Sequence, residues 1–131
     1  MYEVTVENEF CAAHALLFRG RREPLHGHNF RVWATLSSPE LDGDGLVCDF
    51  HALQRALAEI LRPLSNQNLH DVPPFDRVNP TAELIARHIG ERLDSVLSSL
   101  GGAPGIRLVS VRLTEAPGCV ATYNPSRPGD R

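Results

Sequence analysis

The stretch Leu25-His26-Gly27-His28-Asn29-Phe30-Arg31-Val32-Trp33-Ala34-Thr35-Leu36 carries the apolar/polar pattern of a β-strand. Residues two apart on a strand project from the same face, so His26 and His28 point together. Gly27 between them lacks a side chain and relieves crowding on the opposite face. A second strand-like run, Tyr2-Glu3-Val4-Thr5-Val6-Glu7-Asn8-Glu9-Phe10-Cys11, leads into His14. If the two runs pair as a hairpin, His14 reaches the point that His26 and His28 face. Three neutral imidazoles with one open position are the ligand set of a catalytic zinc. The plainer reading of the same spacing is a surface pair with an unrelated third histidine, and H-x-H alone does not decide between them.

Outward from this stretch, residues 2–11 and 27–37 read as strands joined by a polar, arginine-rich segment, Leu16 to Pro24. Leu41-Asp42-Gly43-Asp44-Gly45 is a turn. Asp49 is placed to cap a helix near 50–62, with Leu53, Leu57, Ile60 and Leu61 at helical spacing and Pro63 to end it. An Asn- and Pro-rich loop, 64–78, follows. Thr81 and Glu83 open a second helix with Leu84, Ile85, His88, Ile89 and Leu93 on one side. After the break at Gly101 to Gly105, residues 106–114 and 120–123 read as two more strands, and the tail 125–131 is expected to fray. The order ββααββ predicts an α+β fold. A four-stranded antiparallel sheet with two helices on one face forms a single domain over 1–124, and its open edges need partners.

Composition narrows the function. The 131 residues suffice for one core. A net charge of −3 argues against a general nucleic-acid binder. Three cysteines (Cys11, Cys48, Cys119) without C-x-x-C spacing argue against a disulfide framework, which predicts a cytoplasmic protein. No apolar run has membrane-spanning length, and the start, Met1-Tyr2-Glu3-Val4, has no signal-peptide pattern.

Five motifs occur in order: Phe10-Cys11-Ala12-Ala13-His14, Leu25-His26-Gly27-His28-Asn29-Phe30, Val47-Cys48-Asp49-Phe50, Asn79-Pro80-Thr81-Ala82-Glu83 and Thr114-Glu115-Ala116-Pro117-Gly118-Cys119. Together they resemble the 6-pyruvoyl-tetrahydropterin synthase / 6-carboxytetrahydropterin synthase family, from about residue 2 to residue 124. The resemblance implies the tunnelling fold (T-fold), in which trimers close sheets into a barrel and stack as hexamers, with active sites between subunits. It also implies that His14, His26 and His28 bind Zn²⁺, that Glu115 anchors a pterin ring, and that Thr81 lines the pterin pocket. A carboxylate suits the pterin edge, whose adjacent N–H donors make two parallel bonds. A strand-end glutamate and a helix N-cap are the ordinary alternatives for Glu115 and Thr81.

The chain departs from the family where the proton chemistry sits. The usual general base is a cysteine four residues before the first histidine of H-G-H; here that position is Arg22, which stays protonated. The family's Asp-His pair aligns with Ser65 and Asn66, and neither relays a proton at neutral pH. Glu23 stands three before His26, and Glu23-Pro24-Leu25-His26-Gly27-His28 resembles the E-x-x-H-G-H signature of a glutamate-type branch that forms 6-hydroxymethyl-dihydropterin. Glu23 is the candidate base, against the alternative of a solvated loop charge. His70 and Asp71 are candidates for a replacement relay. Arg19 and Arg21, with Arg22, form a basic cluster suited to a substrate triphosphate, or to subunit contact or solubility.

The resemblance thus implies a zinc-dependent lyase acting on 7,8-dihydroneopterin triphosphate or a close relative. One alternative is a 6-carboxy- or 6-pyruvoyltetrahydropterin synthase with a relocated base. Another, of a different class, is a pterin-binding homologue that has lost catalysis.

Overall fold

Period-two burial carries the first two long strands further than their motifs suggested. The computed structural model describes residues 1–127. In chain order its elements are β1 (Tyr2–His14), β2 (Leu17–Phe18), β3 (Arg21–Arg22), β4 (His26–Ser38), α1 (Phe50–Leu61), β5 (Gln67–Asn68), α2 (Ala82–Asp94), β6 (Arg107–Ala116) and β7 (Cys119–Tyr123). β1 runs on past Cys11 because Ala12 and His14 keep the buried parity of Val6 and Phe10. β4 does the same at its start, where His26 and His28 share the parity of Phe30, Val32, Ala34 and Leu36.

The expected antiparallel strands are present in the order β1-β4-β6-β7. Among the described residues, three short strands were not foreseen. β5 adds a short fifth strand parallel to β1, pairing Ala12 with Gln67 and Ala13 with Asn68. It arises in the loop 64–78, where two residues are too few to show a periodicity. The arginine-rich segment folds as a small hairpin of β2 and β3. Arg19 and Gly20 form its two-residue turn with φ of 50° and 80°, the mirror-type turn that matches strand twist.

Both helices lie on one face. Leu53, Leu57 and Leu61 of α1, with Ile85, Ile89 and Leu93 of α2, bury against Phe10, Phe30, Val32, Leu36, Val111 and Leu113 of the sheet. α1 packs on β1, and α2 on β6 and β7. The caps are those the sequence indicated. The Asp49 side chain accepts from His51 N at 2.9 Å, and Thr81 Oγ1 from Leu84 N at 3.1 Å, each satisfying a helix-start N–H that has no intrahelical partner. Residues 125–127 follow β7 without regular structure, and the rest of the expected tail lies outside the described residues. Among the described residues no helix is long and apolar enough to cross a membrane.

Candidate metal and pterin site

The β1–β4 ladder puts His14 directly opposite His26 and Ala12 opposite His28. All three histidines therefore project from the core face of the sheet, beyond the last large apolar pair, Phe10 and Phe30, whose rings stack at 5.0 Å. The imidazole centroids lie 4.7 to 5.0 Å apart. One nitrogen from each ring falls within 4.8 Å of the others, a group that can hold a metal ion.

The ring tautomers follow from the neighbours. His14 Nδ1 lies 2.9 Å from the Pro80 carbonyl oxygen, and His26 Nδ1 lies 2.8 Å from that of Pro24. A carbonyl only accepts, so both Nδ1 atoms carry hydrogen, and in the neutral rings both Nε2 atoms present a lone pair. His14 is fully buried, and its Nε2 and that of His28 have no hydrogen-bond partner. Burial, the largest influence on His28, holds its imidazole pKa below the ordinary range and so favours the neutral, ligating form.

Glu115 joins this cluster from a third strand. The β6–β7 register shifts between Thr114 and Ala116, so Glu115 is the extra residue of a bulge. Its Oε1 lies 3.1 Å from His14 Nε2 and 3.9 Å from His28 Nε2, and it too is buried without a hydrogen-bond partner. With His14 Nδ1 holding the ring's hydrogen, two acceptors face each other. Buried acceptors left in that way call for a cation between or beside them. Three imidazole nitrogens with an oxygen donor are a borderline-soft set, which fits zinc.

The other predicted residues divide into those that touch this cluster and those that do not. Glu23 Oε1 is 3.5 Å from His26 Nε2 and accepts from Leu16 N at 2.9 Å, so its carboxylate is oriented at the rim. His70 does not reach the imidazoles; its Nε2 accepts from Ala15 N at 2.9 Å, one residue after His14. Arg22 Nη1 donates to the Ala15 carbonyl at 2.9 Å. Asp71 is exposed at the end of a single 3₁₀ turn, Leu69–Asp71. Arg19 and Arg21 lie on the hairpin and share a shallow depression with Arg22 and Glu23. Ser65 donates to the Leu61 carbonyl at 3.1 Å, and Asn66 lines an open groove of about 530 Å³ with Cys11, Asn29, Gln67 and Asn68.

Three consecutive residues tie the site together. The Asn79 side chain accepts from Leu17 N at 2.9 Å and donates to Leu17 O at 3.0 Å, Pro80 receives His14, and Thr81 caps α2. Sequence reasoning missed Asn79 and the carbonyls of Pro24 and Pro80. A backbone carbonyl has no residue-type signature, and the only signal was the Asn-Pro pair ahead of a helix cap.

Known proteins resemble this chain along nearly its whole length. The family model of 6-pyruvoyl tetrahydropterin synthase matches residues 3–126. The chain is 28% identical to the 6-carboxy-5,6,7,8-tetrahydropterin synthase of Bacillus subtilis (strain 168), over 98% of this chain and 88% of that protein. It is 33% identical to the 6-pyruvoyl tetrahydrobiopterin synthase of Pongo abelii, over 75% of this chain and 65% of that one. The structure of Caenorhabditis elegans 6-pyruvoyl tetrahydropterin synthase superposes with a TM-score of 0.78 at 28% identity, covering 96% of this chain and 98% of that chain. Matched by the family model over residues 3–126, the chain belongs to the 6-pyruvoyl tetrahydropterin synthase family.

Proposed function

We propose that this protein is a zinc-dependent pterin lyase acting on 7,8-dihydroneopterin triphosphate or a close relative, with Glu23 as general base. The observation that carries the proposal is the set of converging lone pairs at His14, His26 and His28, two of them fixed by proline carbonyls. Zinc held there would act as a Lewis acid toward a side-chain hydroxyl, making its O–H easier to deprotonate. The neighbouring C–C bond then breaks, a proton returns to the ring-side carbon to leave 6-hydroxymethyl, and the other two carbons depart as an aldehyde carrying the triphosphate.

The chain's own residues supply the rest. Glu115 accepts two parallel hydrogen bonds from the 2-amino-4-oxo edge of the pterin, which fixes the ring and leaves its side chain toward the imidazoles. Glu23, whose Oε1 is 3.5 Å from His26 Nε2 and held by Leu16 N, stands where a proton leaving that side chain can be taken. Arg19 and Arg21, in the same depression as Glu23, pair with the triphosphate. Thr81, while capping α2, keeps its hydroxyl hydrogen to donate.

Assembly completes the reading. Leu17, Phe18 and Leu25 expose apolar surface beside the site, at 48, 65 and 56% of their area. Among the described residues, most of the outer edge of β1 and all of that of β7 are unpaired. A trimer or hexamer that covers them encloses the open site between subunits.

Incubating the purified protein with zinc and dihydroneopterin triphosphate, then weighing the product, tests the proposal. A 6-hydroxymethyl-dihydropterin product is expected. A 6-carboxy or 6-pyruvoyl product would retain the lyase and reject the glutamate-branch assignment. Binding without turnover would show a pterin-binding homologue instead.

A further inference from the structure

We propose that Glu115 has two alternative partners, closing the metal site in the ligand-free protein and releasing it when a pterin ring binds. The inference rests on the metal and pterin readings above and assigns this carboxylate a role toward the metal that pterin anchoring does not require.

Glu115 Oε1 is buried, lacks any hydrogen-bond donor, and points at His14 Nε2 from 3.1 Å and at His28 Nε2 from 3.9 Å. A carboxylate whose only task was to receive a pterin would keep both oxygens open to solvent, since a desolvated, unpaired oxygen is costly. Here the oxygen is aimed where a fourth ligand would stand. Glu115 continues the core-face parity of Val111 and Leu113 along β6, next to the strand that carries His26 and His28. His14 cannot satisfy the oxygen as a neutral ring, because its one hydrogen is on Nδ1 and bonded to Pro80. Glu115 thus stands beside two of the three imidazoles that can hold a metal, and as a fourth donor it would close the set in the manner of a structural site.

A pterin ring that pairs with both carboxylate oxygens must draw Oε1 away from that set. Recognition of the ring then vacates the position that a side-chain hydroxyl needs. The coupling excludes other oxygen ligands until the correct heterocycle is bound, and by linkage the metal weakens ring binding by the same factor.

Cobalt(II) in place of zinc makes the ligand set visible by absorption. Wild type and Glu115→Gln are each loaded with cobalt, then titrated with unsubstituted pterin, which can pair with Glu115 but has no side chain to reach the metal. Quenching of pterin fluorescence reports ring binding independently. The expected results are different spectra for the two ligand-free proteins and faster loss of cobalt to a chelator from Glu115→Gln, by about tenfold or more. Unsubstituted pterin should move the wild-type spectrum, and this arm needs no variant. Cobalt bound with identical spectra in both proteins, or pterin bound to wild type without a spectral change, would overturn the inference and leave the metal reading standing. Failure of the wild type to take up cobalt would overturn both.

Discussion

Ala15 N donates to His70 Nε2 at 2.9 Å, joining the residue after His14 to a loop 55 positions further along the chain. Ala15 is buried, and its carbonyl is taken by Arg22. Both backbone groups beside a histidine of the candidate metal site are thus satisfied by side chains. His70→Ala leaves the Ala15 N–H without its acceptor, and the expected cost is about 1–3 kcal/mol in urea unfolding of the metal-free protein. His70→Gln, which offers an amide oxygen, should recover part of it. An alanine variant as stable as wild type would show that water replaces the bond.

Gly90 sits in α2 where a Cβ would come within 2.5 Å of the Tyr123 ring and 3.5 Å of Val111. Gly90→Ala raises helix propensity by about 1 kcal/mol, while overpacking costs about 1–3 kcal/mol. Net destabilisation is expected. Repeating the substitution in a Tyr123→Leu background should reverse its sign, and additive free energies in that cycle would contradict the clash.

Glu23→Gln keeps an oxygen for Leu16 N, so the hairpin should hold and metal content should stay at the wild-type level. Turnover should fall by roughly a hundredfold or more if the carboxylate takes the proton. Equal turnover in the two proteins would leave Glu23 as an anchor for Leu16 alone.

His88 packs edge-on against Phe75 at 5.4 Å, and burial, reinforced by Arg92 and opposed by Glu91, lowers its pKa. The sign follows from which state binds the proton first. Above about 6.5, the ordinary imidazole pKa, neither state is protonated and the full stability is present. As pH falls, the unfolded chain takes the proton before the folded one, so stability is lost down through the folded pKa of His88. His88→Leu should therefore lose less stability than wild type between pH 7.5 and 5.5 in urea titrations of the metal-free protein. Parallel losses would remove His88 as the source.

Much of this was legible because the residues concerned are periodic. His14, His26 and His28 continue the buried parity of Phe10 and Phe30, so a pattern that marks a core also predicts that three imidazoles share a face. Asp49 and Thr81 were readable as caps because side-chain chemistry at a helix start is specific. What escaped the sequence was decided by tertiary contact. β5 exists because Ala12 and Ala13 offer an edge to Gln67 and Asn68. The arginine-rich hairpin depends on Asn79 gripping Leu17 from another loop. Glu115 keeps the core-face parity of Val111 and Leu113, but its closeness to His14 and His28 is set by the pairing of β6 with β4, which no single strand's pattern shows.

The central claim is that three imidazoles hold a metal, and elemental analysis of the purified protein tests it most directly. About one zinc per chain is expected in wild type, and almost none in a variant carrying His14→Ala, His26→Ala and His28→Ala. Zinc retained at one per chain in that variant, or none bound by folded wild type after zinc is supplied, would contradict the account.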